Sequence, residues 1–94
     1  MNYSDVLKTQ LLSKSNIDYL INLILANFRV SRKAIDKCTH IIESNFSRYL
    51  ANLERFPANN NELIDAIKFL NKKCYDDFTI YLINKYQQTN LKIL

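Results

Sequence analysis

Four cations, Arg29, Arg32, Lys33 and Lys37, crowd into nine residues against a single acid, Asp36. Ser31 just before Arg32 reads as a helix cap, which puts Arg32 and Lys33 in a first turn. There the helix dipole is positive and disfavours cations by roughly a few tenths of a kcal/mol. Positive side chains beside helix-start amides cost the fold something and suit the binding of an anion, either a phosphate or an acidic surface. The competing reading is a solvated edge weakly paired with Asp36. Lys68, Lys72 and Lys73, at i, i+4 and i+5, form a second basic strip that reads as a wet helix face.

Other constellations carry less chemistry. Cys38 and Cys74 both fall on apolar stripes, where a free thiol behaves as a small buried hydrophobe. His40 lies two residues from Cys38 and so points away from it on a helix. Three soft ligands also fall short of the four a structural zinc site requires. His40 and Glu43, at i and i+3, share a face without a second carboxylate or nucleophile to work with. Glu62 and Asp65 belong to a helix first turn for electrostatic reasons. The chain has one His and no glycine, and it holds no phosphate loop, no Ser-His-Asp arrangement and no HExxH pattern. This composition predicts a non-enzymatic protein with no metal, no cofactor and no small-molecule substrate.

The apolar surplus near the end is a stronger signal. Tyr75, Tyr81 and Tyr86, together with Leu82 and Ile83, give the last helix more apolar side chain than one inward face uses, and the partner-contact candidates are Tyr75, Phe78, Tyr81, Leu82 and Tyr86. Excess apolar surface of this kind marks partner-binding helices. Burial of that helix on two sides of a small bundle is the alternative.

The elements that must position these groups are helices. Glycine supplies helix caps, hairpin turns and phosphate-cradling loops, and without it the chain is left with helices stopped by Ser, Asn and the one proline, Pro57. Ser4 caps a short first helix over about 5–12, whose contacts are Val6, Leu7 and Leu11. Ser15 to Asp18 forms a capping box that opens a second helix with the stripe Ile17, Leu20, Ile21, Ile24 and Phe28. Tyr19, Leu23 and Leu25 widen that stripe until little polar face is left, so this helix is expected at the centre. A third, long helix over 32–56 follows, with Val30 and Ile35 as a hydrophobic staple. Its stripe runs Ile35, Cys38, Ile42, Phe46, Tyr49, Leu53 and Phe56, opposite Lys33, Lys37, His40, Ser44, Ser47 and Glu54.

Pro57 and Asn59 to Asn61 end that helix, and Asn59 with Glu62 caps the next, which keeps Leu63, Ile67, Leu70 and Cys74 in register. Phe78, Tyr81, Leu82 and Tyr86 drift from that register. Asp76 and Asp77 therefore stand either inside one long rod or at the cap of a separate terminal helix. Phe78 to Ile83 is rich in β-branched residues but has no strand to pair with, so it reads as buried helix. The expected architecture is all-α, a compact bundle of four to five helices with no sheet. It forms one domain over 1–94: a docking helix at 1–13, a core at 15–87 and a loose tail at 88–94.

Apolar residues make up 48% of the chain, which argues for globular packing rather than disorder. The net charge of +4 admits an anionic partner without demanding one. Two cysteines without a secretory leader fit a reducing compartment inside the cell. The longest apolar run, Ile17 to Phe28, is interrupted by Asp18, Asn22 and Asn27, and it is shorter than the ~20 residues of a membrane span. The crowding of Asn, Ile, Lys and Tyr is what an AT-rich genome produces.

Two stretches, LLSKSNIDYLINLIL at 11–25 and ELIDAIKFLNKKCYDDFTIYL at 62–82, together with that bias, resemble short helical proteins of large nucleocytoplasmic DNA viruses of the mimivirus-like kind. The resemblance covers roughly 11–87. It implies a virion-associated or host-cytoplasmic protein that acts through protein contacts. A weaker likeness is to the histone fold, because 16–28, 32–56 and 60–72 have about its short, long and short helix lengths around a basic loop. The basic tail of histones is missing, and Arg55 and Asp65 do not match that fold's Arg-to-Asp spacing. The expected function is structural association with itself or another protein through the last helix. A DNA-binding role for Arg29, Arg32, Lys33 and Lys37 is the alternative.

Overall fold

A computed structural model describes residues 2–86. Five helices follow one another: α1 (Tyr3–Leu11), α2 (Lys14–Asn27), α3 (Arg32–Lys37), α4 (Thr39–Ala51) and α5 (Asn60–Tyr86). No β-strand occurs among the described residues. The expectation of a loose tail at 88–94 lies outside them.

The lack of glycine shapes the ends of α1 to α4. Among the described residues the left-handed C-terminal residue that glycine favours is not used there. Leu12 (φ −90°, ψ 4°), Cys38 (−98°, 5°) and Asn52 (−104°, 7°) instead close their helices in the bridge region. Tightened i→i−3 bonds there satisfy the last carbonyls, as where the Cys38 amide donates to Ile35 O at 2.8 Å. At the starts of α1, α2, α3 and α5 side-chain oxygens cap, while α4 follows Cys38 without a side-chain cap. Asn2 accepts from the Ser4 amide at 3.1 Å, Ser13 from Asn16 at 3.2 Å, Ser31 from Ala34 at 3.1 Å and Asn59 from Glu62 at 2.9 Å. The first two differ from the sequence expectation, which placed the caps two residues later, at Ser4 and Ser15. Capping from Ser13 frees the Asn16 side chain, which donates to Leu11 O at 3.1 Å. It also exchanges two 3.0 Å bonds with the Asn71 amide. One side chain thus joins the end of α1, the start of α2 and the middle of α5.

The helix expected over 32–56 is shorter and broken. It divides at Cys38, just before Thr39, Ile41 and Ile42, whose β-branched side chains crowd a helix turn. It stops at Ala51, so Leu53 is only half-buried and Phe56 is exposed. Arg55 in the connecting segment pairs with Glu62 at the start of α5, tying the two helices together.

The last helix is one rod. Its 27 residues span about 40 Å at the standard rise, most of the molecule's 46 Å length. Asp76 and Asp77 cap nothing. Asp76 pairs with Lys72 at 2.8 Å within the helix, and Asp77 accepts from the Tyr49 hydroxyl. This helix, and not α2, is the centre of the bundle: α1, α2 and α4 all pack on it. Tyr19, expected to widen the buried face of α2, is exposed. The core forms one cluster in which Leu7, Leu11, Leu20, Ile24, Ile35, Ile42, Phe46, Cys74, Phe78 and Leu82 are fully buried.

Candidate functional site

The inner ridge of α5 runs Leu63, Leu70, Cys74, Phe78 and Leu82. Each four-residue step from Leu70 to Leu82 overshoots a full turn by about 40°, so the ridge winds roughly 120° around the helix. That winding is the drift seen in the sequence. It does not expose Phe78 and Leu82 but follows the neighbouring helices, and both side chains are at 0% exposure. They are core residues, and their assignment to a partner surface is corrected here. Tyr81 stacks on Phe78 with centroids 5.8 Å apart and remains half-buried. Tyr75 is half-buried too, with its ring 6.4 Å from that of Phe28. Tyr86 lies in the last turn of α5, and its side chain is outside the described residues.

The outer face of α5 carries exposed apolar groups. Phe69 is 64% exposed, Ile80 56% and Ile83 37%, while Ile64, 49% exposed, lies in the first turns on a different side. Steps of seven, four and three residues put Phe69, Asp76, Ile80 and Ile83 on one side of the helix. An open groove of about 450 Å³ runs along this side, lined by Phe69, Lys68, Lys72, Lys73, Asp76 and Asp77. A second groove, of about 560 Å³, lies between α2 and α5 with Tyr19, Leu23 and Tyr75 in its wall and Lys68 and Lys72 at its edge. Residue types alone could not separate Phe69 from Phe78; only the phase of the winding ridge does.

The basic group does not converge. Arg32 turns back onto the fold, bonding Asp36 at 3.3 Å and Asn22 of α2 at 3.0 Å. The Ala34 amide at the start of α3 is taken by the Ser31 hydroxyl. Arg29, Lys33 and Lys37 are exposed and make no ion pair among the described residues.

A polar cluster between α4 and α5 escaped the sequence reading. The Tyr49 ring lies beneath the Lys73 ammonium at 4.5 Å and near the Arg48 guanidinium at 5.3 Å, while Arg48 donates to Asn45 at 3.2 Å. Burial, and then the bond to Asp77, push the Tyr49 phenol up to about 12. Cys74 sits one turn away, its thiol 3.9 Å from Ile42 O, and burial pushes it up to about 12 as well. A thiol so far from its thiolate is a packing group, not a nucleophile. His40 and Glu43 are both exposed. Among the described residues no three His, Cys, Asp or Glu side chains gather where they could hold a metal ion, and no helix is long and apolar enough to cross a membrane.

The molecule is therefore a small all-helical bundle whose polar clusters brace the fold and most of whose exposed large apolar groups lie on α5, with Tyr19 on α2 and Phe56 in the connecting segment. It is 60% identical over 91 residues to an uncharacterized protein of Acanthamoeba polyphaga mimivirus. That match covers 97% of this chain and 15% of the viral protein, so the chain spans under a sixth of its relative's length. The resemblance to proteins of the mimivirus-like kind is borne out. No family model matches the chain, and the likeness to histones gains no support. No solved structure matches either.

Proposed function

We propose that this chain is a non-enzymatic structural module that works by protein association through the outer face of α5. The observation that carries the reading is the exposure of Phe69, Ile80 and Ile83 on one side of a rigid helix. Apolar groups gathered on one face at this exposure mark contact surfaces. The setting that fits is a virion or the host cytoplasm, where two buried free thiols stay reduced.

Equilibrium sedimentation across a wide concentration range tests the reading. The wild-type chain should exceed its monomer mass, and a Phe69→Glu/Ile80→Glu variant should return to it with unchanged helical circular dichroism. A wild-type chain that is monomeric throughout overturns the reading.

A second reading, duplex-DNA binding, is favoured by the exposure of Arg29, Lys33 and Lys37 without internal pairing. Each phosphate contact should then add about −0.9 to the log–log salt slope. Removing Lys33 and Lys37 together should flatten that slope in fluorescence anisotropy. Absence of binding at low salt excludes it.

A further inference from the structure

The outer face of α5 is complementary to itself when reversed. Phe69, then Lys72 and Lys73, then Asp76 and Asp77, then Ile80 stand symmetrically about the peptide bond between Cys74 and Tyr75. We propose that a second copy of this chain covers this face, antiparallel, about a two-fold axis beside that bond. Phe69 then meets Ile80 of the second copy, and Lys73, whose ammonium lies over the Tyr49 ring at 4.5 Å within its own chain, turns from that ring to Asp76 of the second copy, each pair occurring twice. The proposal rests on the association reading above and names its partner.

Three observations favour this occupant. A two-fold interface uses one patch on both subunits, so every group needs its complement elsewhere on the same patch. Here Phe69 with Ile80, and the lysines with the aspartates, satisfy that condition, with the charges inside and these apolar residues flanking, while Ile83 faces Ala66. Parallel pairing would instead set Lys73 on Lys73 and Asp76 on Asp76, and like-charge juxtaposition is strongly disfavoured.

Accessibility is the second point. Lys72 and Asp76 form an i,i+4 pair whose side chains remain 75% and 49% exposed, which leaves the carboxylate room for a further cation. The third is the groove of about 450 Å³ beside Phe69, which gives an incoming Ile80 a place to seat against the ring and the lysine stems.

Register-specific cross-linking tests the proposal. Chains carrying Phe69→Cys and chains carrying Ile80→Cys are mixed and mildly oxidised; the native Cys38 and Cys74, at 3% and 0% exposure, do not compete. The mixed disulfide, joining a Phe69→Cys chain to an Ile80→Cys chain, should dominate. Like-with-like pairing would need sulfurs at positions about 16 Å apart along the dimer, beyond disulfide reach.

Dominance of the Phe69→Cys homodimer would overturn the antiparallel register while leaving association intact. A wild-type chain that sediments as a monomer would overturn both. Charge exchange gives a second readout. Lys73→Glu should weaken dimerisation about tenfold, because both symmetry-related pairs become repulsive, and Lys73→Glu/Asp76→Lys should restore most of it. A double variant as weak as the single one contradicts the register.

Discussion

Phe78 and Phe69 belong to the same helix, nine residues apart in the sequence, and have opposite fates. Phe78 is at 0% exposure beneath α5's neighbours, and Phe69 is at 64% on the far side. The same contrast separates Leu82 from Ile80. Composition cannot distinguish the members of either pair. What distinguishes them is phase: the inner ridge winds around the rod to stay against its neighbouring helices, and the outer residues fall where nothing covers them. An apolar surplus on a helix is thus two signals, one of core and one of surface, and the tertiary contacts decide which residue carries which.

The largest expected effect probes the inner side. Leu82→Glu places a charge at a fully buried site and removes the packing of an isobutyl group, so it should cost about 4 kcal/mol or more in urea unfolding. If Leu82→Glu leaves stability unchanged, the placement of the inner ridge is wrong. Asn16→Ala comes next, because it strips partners from both the Asn71 amide and the Leu11 carbonyl. A loss of about 1–3 kcal/mol is expected, and a double cycle with Asn71→Ala should show strong coupling between the two sites.

Tyr49→Phe removes the hydrogen bond to Asp77 and should cost about 1 kcal/mol near neutral pH. Tyr49 also makes stability depend on alkaline pH. Its folded-state value of about 12 lies above the ordinary 10.0, so the folded chain holds a proton that the unfolded chain releases first. The stabilisation is complete below pH 10 and is lost as pH rises towards 12. Cys74, raised from 9.0 to about 12, acts in the same sense from a lower pH. Unfolding followed from pH 8 upward should therefore steepen with alkali, and Tyr49→Phe should reduce that steepening. Equal slopes in the two proteins would exclude the Tyr49 contribution.

The smallest effect on stability belongs to the outer side. At concentrations low enough to hold the chain monomeric, Phe69→Glu should change unfolding free energy by no more than about 0.5 kcal/mol. A loss as large as that of Leu82→Glu would abolish the distinction between the two faces.

Much of the fold could be read from residue spacing. The stripes Ile17, Leu20, Ile21, Ile24, Phe28 and Ile35, Cys38, Ile42, Phe46, Tyr49 are all buried, because a 3.6-residue period needs no tertiary information. The Asn59–Glu62 cap was equally local. The choice between Ser13 and Ser15 was not, since Asn16 had to reach Asn71 across the bundle before one register was preferred. The Tyr49–Asp77 contact spans 28 positions, and no local pattern announces it. The candidate surface was legible as a helix and not as residues: α5 was expected to carry it, and two of the side chains named for it proved to be core.

The most direct test of the outer face is a dilution series followed by amide NMR of the wild-type chain. Concentration-dependent shifts should cluster around Phe69, Lys73, Asp76, Ile80 and Ile83 and spare Arg29 to Lys37. Shifts confined to the basic segment, or none at any concentration, would contradict the central claim that the outer face of α5 is where this protein meets its partner.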